Sequence, residues 1–169
     1  MKKESPSMDA WLKEAKAHES APKIGMYLTH NGTVRQTAKA KVRYGAEDTR
    51  EVTGMIFSYD EEKVNAVIAD TYKMEGIYYI KVWLNEGELT MRDDIMYVLI
   101  GGDIRPRVVD ALQYLVGRVK NECVVETELN CYGSLGKVRG IPRPPLRRSA
   151  DRLRRRGICH EAAAYRLFR

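Results

Sequence analysis

The sequence predicts an α+β fold in which helices pack on a mixed or antiparallel sheet and a basic tail follows the last strand. Apolar side chains recur at helical spacing in three segments, and β-rich runs lie between them. The resulting order, α-β-β-α-β-β-α-β, combines hairpins with crossovers, which is typical of α+β domains. Beyond residue 130 the composition changes to Gly, Pro and Arg with few apolar side chains that could join a core.

The N-terminal part predicts one helix, two strands and a long loop. Residues 8–18 contain good helix formers, and Ser7 stands where a capping residue is expected. Residues 23–30 alternate between apolar and other side chains, as in a strand with one buried face. Residues 36–51 are polar and follow neither period, so they predict a loop, and a second strand is expected at residues 52–59.

The following part predicts two helices and three strands. The helix after Asp60 carries apolar side chains three and four residues apart, and Gly76 ends it. The helix that begins at Pro106 has an apolar stripe as far as about Glu122. The three predicted strands are residues 77–84, 95–100 and 123–129. The first two are expected to pair antiparallel, and the last is expected to close the sheet.

The positive charge of the chain is concentrated at its C-terminal end. The whole chain carries +6, but residues 131–169 hold 11 of the 29 Lys and Arg and only two of the 23 Asp and Glu. We therefore divide the chain into an N-terminal helix and linker (1–22), a central domain (23–130) and an Arg-rich tail (131–169) that we expect to be poorly ordered. Arg-rich runs bind phosphate backbones nonspecifically, but the tail lacks interleaved aromatic residues, and we do not expect nucleic acid as the main partner.

The composition also indicates the cellular location and limits the kinds of site that are expected. No apolar run approaches the roughly 18 residues of a membrane span, and the N-terminus is too charged for a secretory signal, so the sequence predicts a cytoplasmic protein. The three cysteines form no CxxC pair, which supports neither a disulfide framework nor a metal site. They are interpreted as reduced thiols: Cys123, Cys131 and Cys159.

The segment HNGTVRQTAKAKVR, residues 30–43, combines a turn signal with unusual positive charge. Asn31-Gly32 is typical of a hairpin turn, because both residue types tolerate positive φ. Basic residues then follow where alternating apolar ones would return: Arg35, Lys39, Lys41 and Arg43. Three interpretations stay open: an ordinary turn, a loop that faces nucleic acid, and the rim of a site for a small anion.

Two further basic residues lie at positions that commonly bind anions or interact with a helix dipole. Arg105 follows a strand and immediately precedes the predicted helix start at Pro106, where anions are often bound. Lys120 lies near the end of that helix, where a cation interacts favourably with the dipole. Each of them taken alone is most simply a solvated charge.

Three segments carry a more specific resemblance: HNGTVR, NEGELTMRDD before a strand, and GGDIRPRVVDALQYLVGRVKNE in the following helix. Together they resemble the large, catalytic subunit of molybdopterin synthase over about residues 23–129. The resemblance implies an α/β hammerhead-like fold. It places Arg35 on the arginine of the family's first motif, Arg105 on the arginine of a His-Arg pair that opens a helix, and Lys120 on the first of two lysines.

The resemblance implies a substrate, a partner and a role for each of these residues. The substrate would be cyclic pyranopterin monophosphate, and Arg35 and Arg105 would bind its phosphate, for which planar guanidinium groups are well suited. Lys120 would act at the carbon that receives sulfur, since burial and neighbouring cations lower a lysine pKa from about 10.4. Sulfur would arrive as the C-terminal Gly-Gly thiocarboxylate of a small ubiquitin-like subunit. The assembly would be a homodimer at the centre of a heterotetramer, with no cofactor.

The chain departs from the family pattern at three places. Ile104 stands where the helix-opening pair has His, Thr127 stands where the second lysine is expected, and Leu84-Asn85 replaces another His-Arg. An isoleucine cannot exchange protons, and a threonine cannot replace an ammonium group. A noncatalytic binding or regulatory paralogue is therefore the alternative to the enzyme, and a nucleic-acid binder acting through residues 137–156 is the third hypothesis.

Overall fold

The computed structural model describes residues 2–45, 51–130 and 133–135 and confirms the α+β class. One sheet has three strands in the order β1-β5-β3, and a second has four in the order β4-β2-β6-β7. All described strand pairs are antiparallel. The strands are β1 (Met26–Thr33), β2 (Val52–Tyr59), β3 (Ile77–Leu84), β4 (Gly87–Thr90), β5 (Asp94–Gly102), β6 (Val124–Asn130) and β7 (Gly133–Leu135).

Four α-helices are described: α1 (Met8–Ala17), α2 (Lys39–Tyr44), α3 (Glu61–Tyr72) and α4 (Arg105–Arg118). A π-helical turn, Val119–Cys123, continues α4 toward β6. Both predicted caps are confirmed: the Ala10 N–H donates to Ser7 Oγ at 3.3 Å, and the Lys63 N–H donates to Asp60 Oδ1 at 3.1 Å. None of the described helices is long and apolar enough to span a membrane.

The three-stranded sheet is covered on both faces because its central strand, β5, is apolar on both sides. Leu99 faces α1, where it packs with Trp11 and Ala15. Val98 and Ile100 face the main core, which also contains side chains from α3, α4 and the second sheet. The main core therefore joins both sheets to the two long helices, and α1 closes the outer face.

The division into two sheets differs from the single predicted sheet. The last predicted strand, β6, pairs with β2 rather than with the strands of the first sheet. Strand propensity does not select the partner of a strand, because partners are chosen by packing between distant segments. The predictions for Cys131, Cys159 and the tail beyond Leu135 lie outside the described residues.

The hairpin interpretation of Asn31-Gly32 is wrong. Both residues lie inside β1, where Asn31 pairs with Tyr97 and Gly32 with Met96. A Cβ atom added at Gly32 would approach Met96 Cγ to 3.3 Å, so glycine here permits close packing rather than a turn. The pairing with β5 outweighs the local turn preference.

The predicted loop at residues 36–51 contains the short helix α2. It is ended by Gly45, whose φ of +64° is the left-handed conformation that glycine adopts at helix C-termini. Residues 36–44 are mostly polar and follow no clear helical period, so the sequence pattern did not predict this helix. Its position matters because it lies beside the first cation of the resemblance, Arg35.

Candidate functional site

A cavity of about 220 Å³ lies where residues that follow β1, the start of β5, α2, the π-helical turn and β6 meet. The side chains of Met55 and Ile95 contribute an apolar part of its wall. The charged residues of the lining, among the part of the chain that the structure describes, are Arg35, Lys39, Lys120, Glu126 and Glu128. Three cations and two carboxylates thus share one concave surface.

Arg35 reaches the cavity because the chain stays extended for two residues beyond β1. The Val34 N–H donates to the Asp93 carbonyl at 2.9 Å, and the Arg92 N–H donates to the Val34 carbonyl at 3.0 Å. The Val34 side chain is buried in the core, so its neighbour Arg35 points to the other side. Arg35 Nε donates to the Thr37 carbonyl at 3.1 Å, and this bond restrains the guanidinium.

An irregularity at the start of β5 shapes the apolar part of the wall. Gly32 pairs with Met96 and Thr33 pairs with Asp94, so Ile95 is an extra residue in β5. Ile95 and Met96 are consecutive and both buried, as expected where a bulge breaks the alternation of a strand. The bulge places the Ile95 side chain in the lining of the cavity.

Lys120 lies in the π-helical turn rather than in α4 itself, and its side chain is half-buried. Arg118, the last residue of α4, fixes this turn. Its guanidinium donates to the Glu122 carboxylate at distances of 2.8 to 3.1 Å and to Asp70 Oδ2 of α3 at 2.8 Å. Arg118 therefore restrains the turn that carries Lys120 through one contact within the turn and one contact to α3.

A buried ion pair connects α2 to β6 inside the cavity. Lys39 Nζ lies 2.7 Å from Glu126 Oε2, and the two side chains are only 13% and 7% exposed. The Lys39 backbone N–H also donates to both carboxylate oxygens of Glu128, at 3.0 and 3.3 Å. Lys39 is thus bound to β6 through its side chain and through its backbone.

The structure brings Arg35 and Lys120 together but leaves Arg105 elsewhere. Arg105 is exposed at the start of α4, and the cavity lies at the other end of that helix. With a rise of about 1.5 Å per residue, roughly 20 Å of helix separates Arg105 from Lys120. Its neighbour Ile104 is 51% exposed. Within one chain, therefore, Arg105 does not face the cavity.

Thr127, which stands where the second lysine is expected, does not face the cavity. Side chains alternate along a strand, and in β6 it is Glu126 and Glu128 that line the cavity. Thr127, between them, has the opposite orientation. The spacing counted from Lys120 therefore selects a residue that faces away from the site.

His30 is a titratable group close to this site that the sequence pattern did not single out. It lies in β1 opposite Val98, and its Nε2 atom is buried without a hydrogen-bond partner among the described residues. Burial, and then the positive charge of Lys120, hold the pKa of His30 below its ordinary value of 6.5. The imidazole is therefore uncharged at neutral pH.

Cys123 is a free, buried thiol at the end of the π-helical turn. Burial is the main reason that its pKa is raised, so the group stays protonated at neutral pH and is a poor nucleophile. Among the described residues, no group of three or more His, Cys, Asp or Glu is placed to hold a metal ion.

The resemblance gave no role to three of the charged residues in the lining, although each carried a signal. Lys39 follows Arg35 by four residues in the basic stretch whose charge needed an explanation. Glu126 and Glu128 alternate along a strand, which places two carboxylates on the same face. That face must meet a polar site or opposite charge, because buried carboxylates are rarely left unpaired.

The model of the MoaE protein family matches residues 2–122. Molybdopterin synthase from Staphylococcus aureus is a similar structure, with 17% identity, a TM-score of 0.60, and coverage of 77% of this chain and 90% of that chain. The molybdopterin biosynthesis MoaE protein from Burkholderia ambifaria is 18% identical, with a TM-score of 0.61 and coverage of 82% and 88%.

A third similar structure is a complex of subunits 1 and 2 of molybdopterin-converting factor from Helicobacter pylori. The matched chain is 16% identical, with a TM-score of 0.54 and coverage of 75% of this chain and 78% of that chain. At these identities the three structures show a shared fold. No curated protein sequence matches the chain.

Proposed function

The chain belongs to the MoaE protein family, and from this premise we propose that it transfers sulfur from the thiocarboxylate of a small subunit to cyclic pyranopterin monophosphate. Its role is that of the large subunit of molybdopterin synthase in molybdenum cofactor biosynthesis. The observation that carries the finer proposal is the shared cavity of Arg35 and Lys120, which lie far apart in the sequence. The cytoplasm is the proposed location.

Arg35 and Arg105 are the proposed phosphate-binding residues. A guanidinium group can donate two parallel hydrogen bonds to phosphate oxygens, and Arg35 already lies at the rim of the cavity. Since Arg105 is remote from the cavity of its own chain, it can serve only the cavity of a second copy. The small volume supports the same arrangement, because about 220 Å³ is below the roughly 300–1,000 Å³ of typical ligand sites.

Lys120 is the proposed catalytic residue, acting at the carbon that receives sulfur. Its half-buried ammonium shares the cavity with Arg35, which would bind the phosphate of the same substrate. A carbon–sulfur bond forms as the substrate carbon loses an oxygen substituent, and the thiocarboxylate of the small subunit becomes a carboxylate whose new oxygen comes from water. Lys120 can act there as a nucleophile or as a proton donor, depending on its protonation state.

The proposed partners are a second copy of this chain and the small ubiquitin-like subunit with a C-terminal Gly-Gly thiocarboxylate. The Helicobacter pylori structure is a complex of subunits 1 and 2 of molybdopterin-converting factor, and its likeness to this chain supports a small-subunit partner here. We propose a homodimer at the centre of a heterotetramer, in which each cavity receives one thiocarboxylate tail.

The decisive experiment mixes the purified full chain with the host's thiocarboxylated small subunit and cyclic pyranopterin monophosphate. The dithiolene product is then measured for the wild type, for Lys120→Ala and for Lys16→Ala, whose exposed lysine on α1 is remote from the cavity. We expect product from the wild type and from Lys16→Ala, and a loss of at least about 100-fold in Lys120→Ala. An unchanged rate in Lys120→Ala would remove its catalytic role. No product from a wild-type chain that binds both partners would favour the noncatalytic paralogue.

A further inference from the structure

The ion pair between Lys39 and Glu126 is not the only contact that joins α2 to β6. The backbone N–H of Lys39 already joins α2 to β6 through Glu128. The side chain could have extended into solvent, yet its ammonium lies in the lining of the cavity together with Arg35 and Lys120. Its position thus adds a third positive charge to the lining of the cavity.

We propose that Lys39 is a further substrate-binding residue, which contacts the phosphate group of the substrate together with Arg35. This inference rests on the proposed function. Glu126 is a positioning residue, since it holds the ammonium of Lys39 2.7 Å from its own carboxylate and inside the cavity.

The balance of charge in the cavity supports this role. The cyclic phosphate of this substrate is a diester with a single negative charge at neutral pH, and the lining carboxylates oppose its entry. Without Lys39, the cations Arg35 and Lys120 would only balance Glu126 and Glu128. With Lys39, the lining has a net positive charge of one.

The chemistry of the ammonium group allows it to bind both anions at once. An ammonium has three N–H donors, and Glu126 Oε2 accepts one of them. A buried lysine that is already restrained also loses less conformational entropy when it binds a ligand than a solvated one does. Glu126 therefore prepares Lys39 for the phosphate instead of competing with it for every donor.

The test must separate binding from folding, because removal of Lys39 alone leaves the buried Glu126 carboxylate unpaired. The comparison is therefore made in a Glu126→Gln chain, whose side-chain amide oxygen can still accept a hydrogen bond from the Lys39 ammonium, and to which Lys39→Gln or Lys41→Gln is added. Lys41 is an exposed residue of the same helix and provides the matched control. Thermal unfolding checks that the three variants are folded. Dissociation constants are measured by calorimetry for cyclic pyranopterin monophosphate and for the same pterin without its phosphate.

We expect Lys39→Gln to weaken binding of the phosphorylated pterin about tenfold and to leave binding of the phosphate-free pterin unchanged. Lys41→Gln should change neither constant by more than about twofold. Equal losses for both pterins, or no loss in Lys39→Gln, would overturn the role of Lys39 and leave the proposed function intact. A wild-type chain that binds no phosphorylated pterin would instead overturn the proposed function, and this inference with it.

Discussion

The positive charge of Lys120 acts on the imidazole of His30, whose pKa is lowered first by burial and then by this charge. The two residues come from different elements, since His30 lies in β1 and Lys120 in the π-helical turn after α4. A second positive charge at His30 would be buried next to an ammonium group. The folded protein therefore favours the uncharged imidazole, and this preference has a measurable dependence on pH.

We expect His30 to reduce the stability of the protein as the pH falls. In the unfolded chain His30 takes up a proton near pH 6.5, but in the folded chain it does so only at a lower pH. Between those values the unfolded state binds more protons, so the free energy of unfolding decreases as the pH is lowered. Urea unfolding at pH 7.5 and 5.0 should show a smaller decrease in His30→Gln than in the wild type. Equal decreases in the two proteins would contradict the assignment.

Asn85 should contribute strongly to stability, although it stands at a position where the family resemblance led us to expect a site residue. It is fully buried, and its Oδ1 accepts from the N–H groups of Lys3 and Glu86 at 2.8 and 2.9 Å. Its Nδ2 donates to the Asp94 carbonyl at 2.8 Å. Asn85→Leu would leave these partners unsatisfied and should lower the free energy of unfolding by about 2–3 kcal/mol.

The control for this measurement is Asn65→Leu, which changes an exposed asparagine on α3 and should shift stability by less than about 0.5 kcal/mol. Chemical denaturation of both variants gives the comparison. Similar stabilities of the two variants would show that the Asn85 network carries little net free energy.

A site shared between two copies of the chain can be tested by mixing inactive variants. Arg105→Ala and Lys120→Ala should each be inactive as pure homodimers, because every cavity lacks one proposed group. A mixed dimer has one cavity with Lys120 from one chain and Arg105 from the other. After denaturation and refolding of an equal mixture, random pairing should restore about a quarter of the wild-type sulfur-transfer rate. If the mixture stays as inactive as its components while the refolded wild type recovers its rate, the two residues do not act in one shared site.

The sequence predicted those elements whose pattern is dictated by burial. The strand at Ile77–Leu84 has the bounds that its β-rich run indicated, and α3 begins directly after its predicted cap, Asp60. In both cases the apolar period repeats several times and residues of known preference mark the ends. The turn signal at Asn31-Gly32 failed because it is short, and the long pairing of β1 with β5 overrides it.

The candidate site was less predictable, since it depends on which segments meet. Arg35 and Lys120 were assigned roles through a resemblance, whereas the contact of Lys39 with Glu126 became visible only when α2 was placed beside β6. Arg105 shows that a residue with the expected spacing in the sequence can still lie far from the site in the fold. Correct spacing along a helix states how far apart two residues lie, and here about 20 Å of helix separates them within one chain.

Restoring the expected lysine at position 127 should have no effect on catalysis. The family's spacing from Lys120 points to Thr127, which lies in β6 beyond the π-helical turn. In β6 the residues that face the cavity are Glu126 and Glu128, so a Thr127→Lys side chain would extend away from the substrate. The sulfur-transfer rate of Thr127→Lys should equal that of the wild type, whereas Glu128→Lys, at a cavity-facing position, should change it. A clear gain in turnover for Thr127→Lys alone would show that this face of β6 contributes to the site.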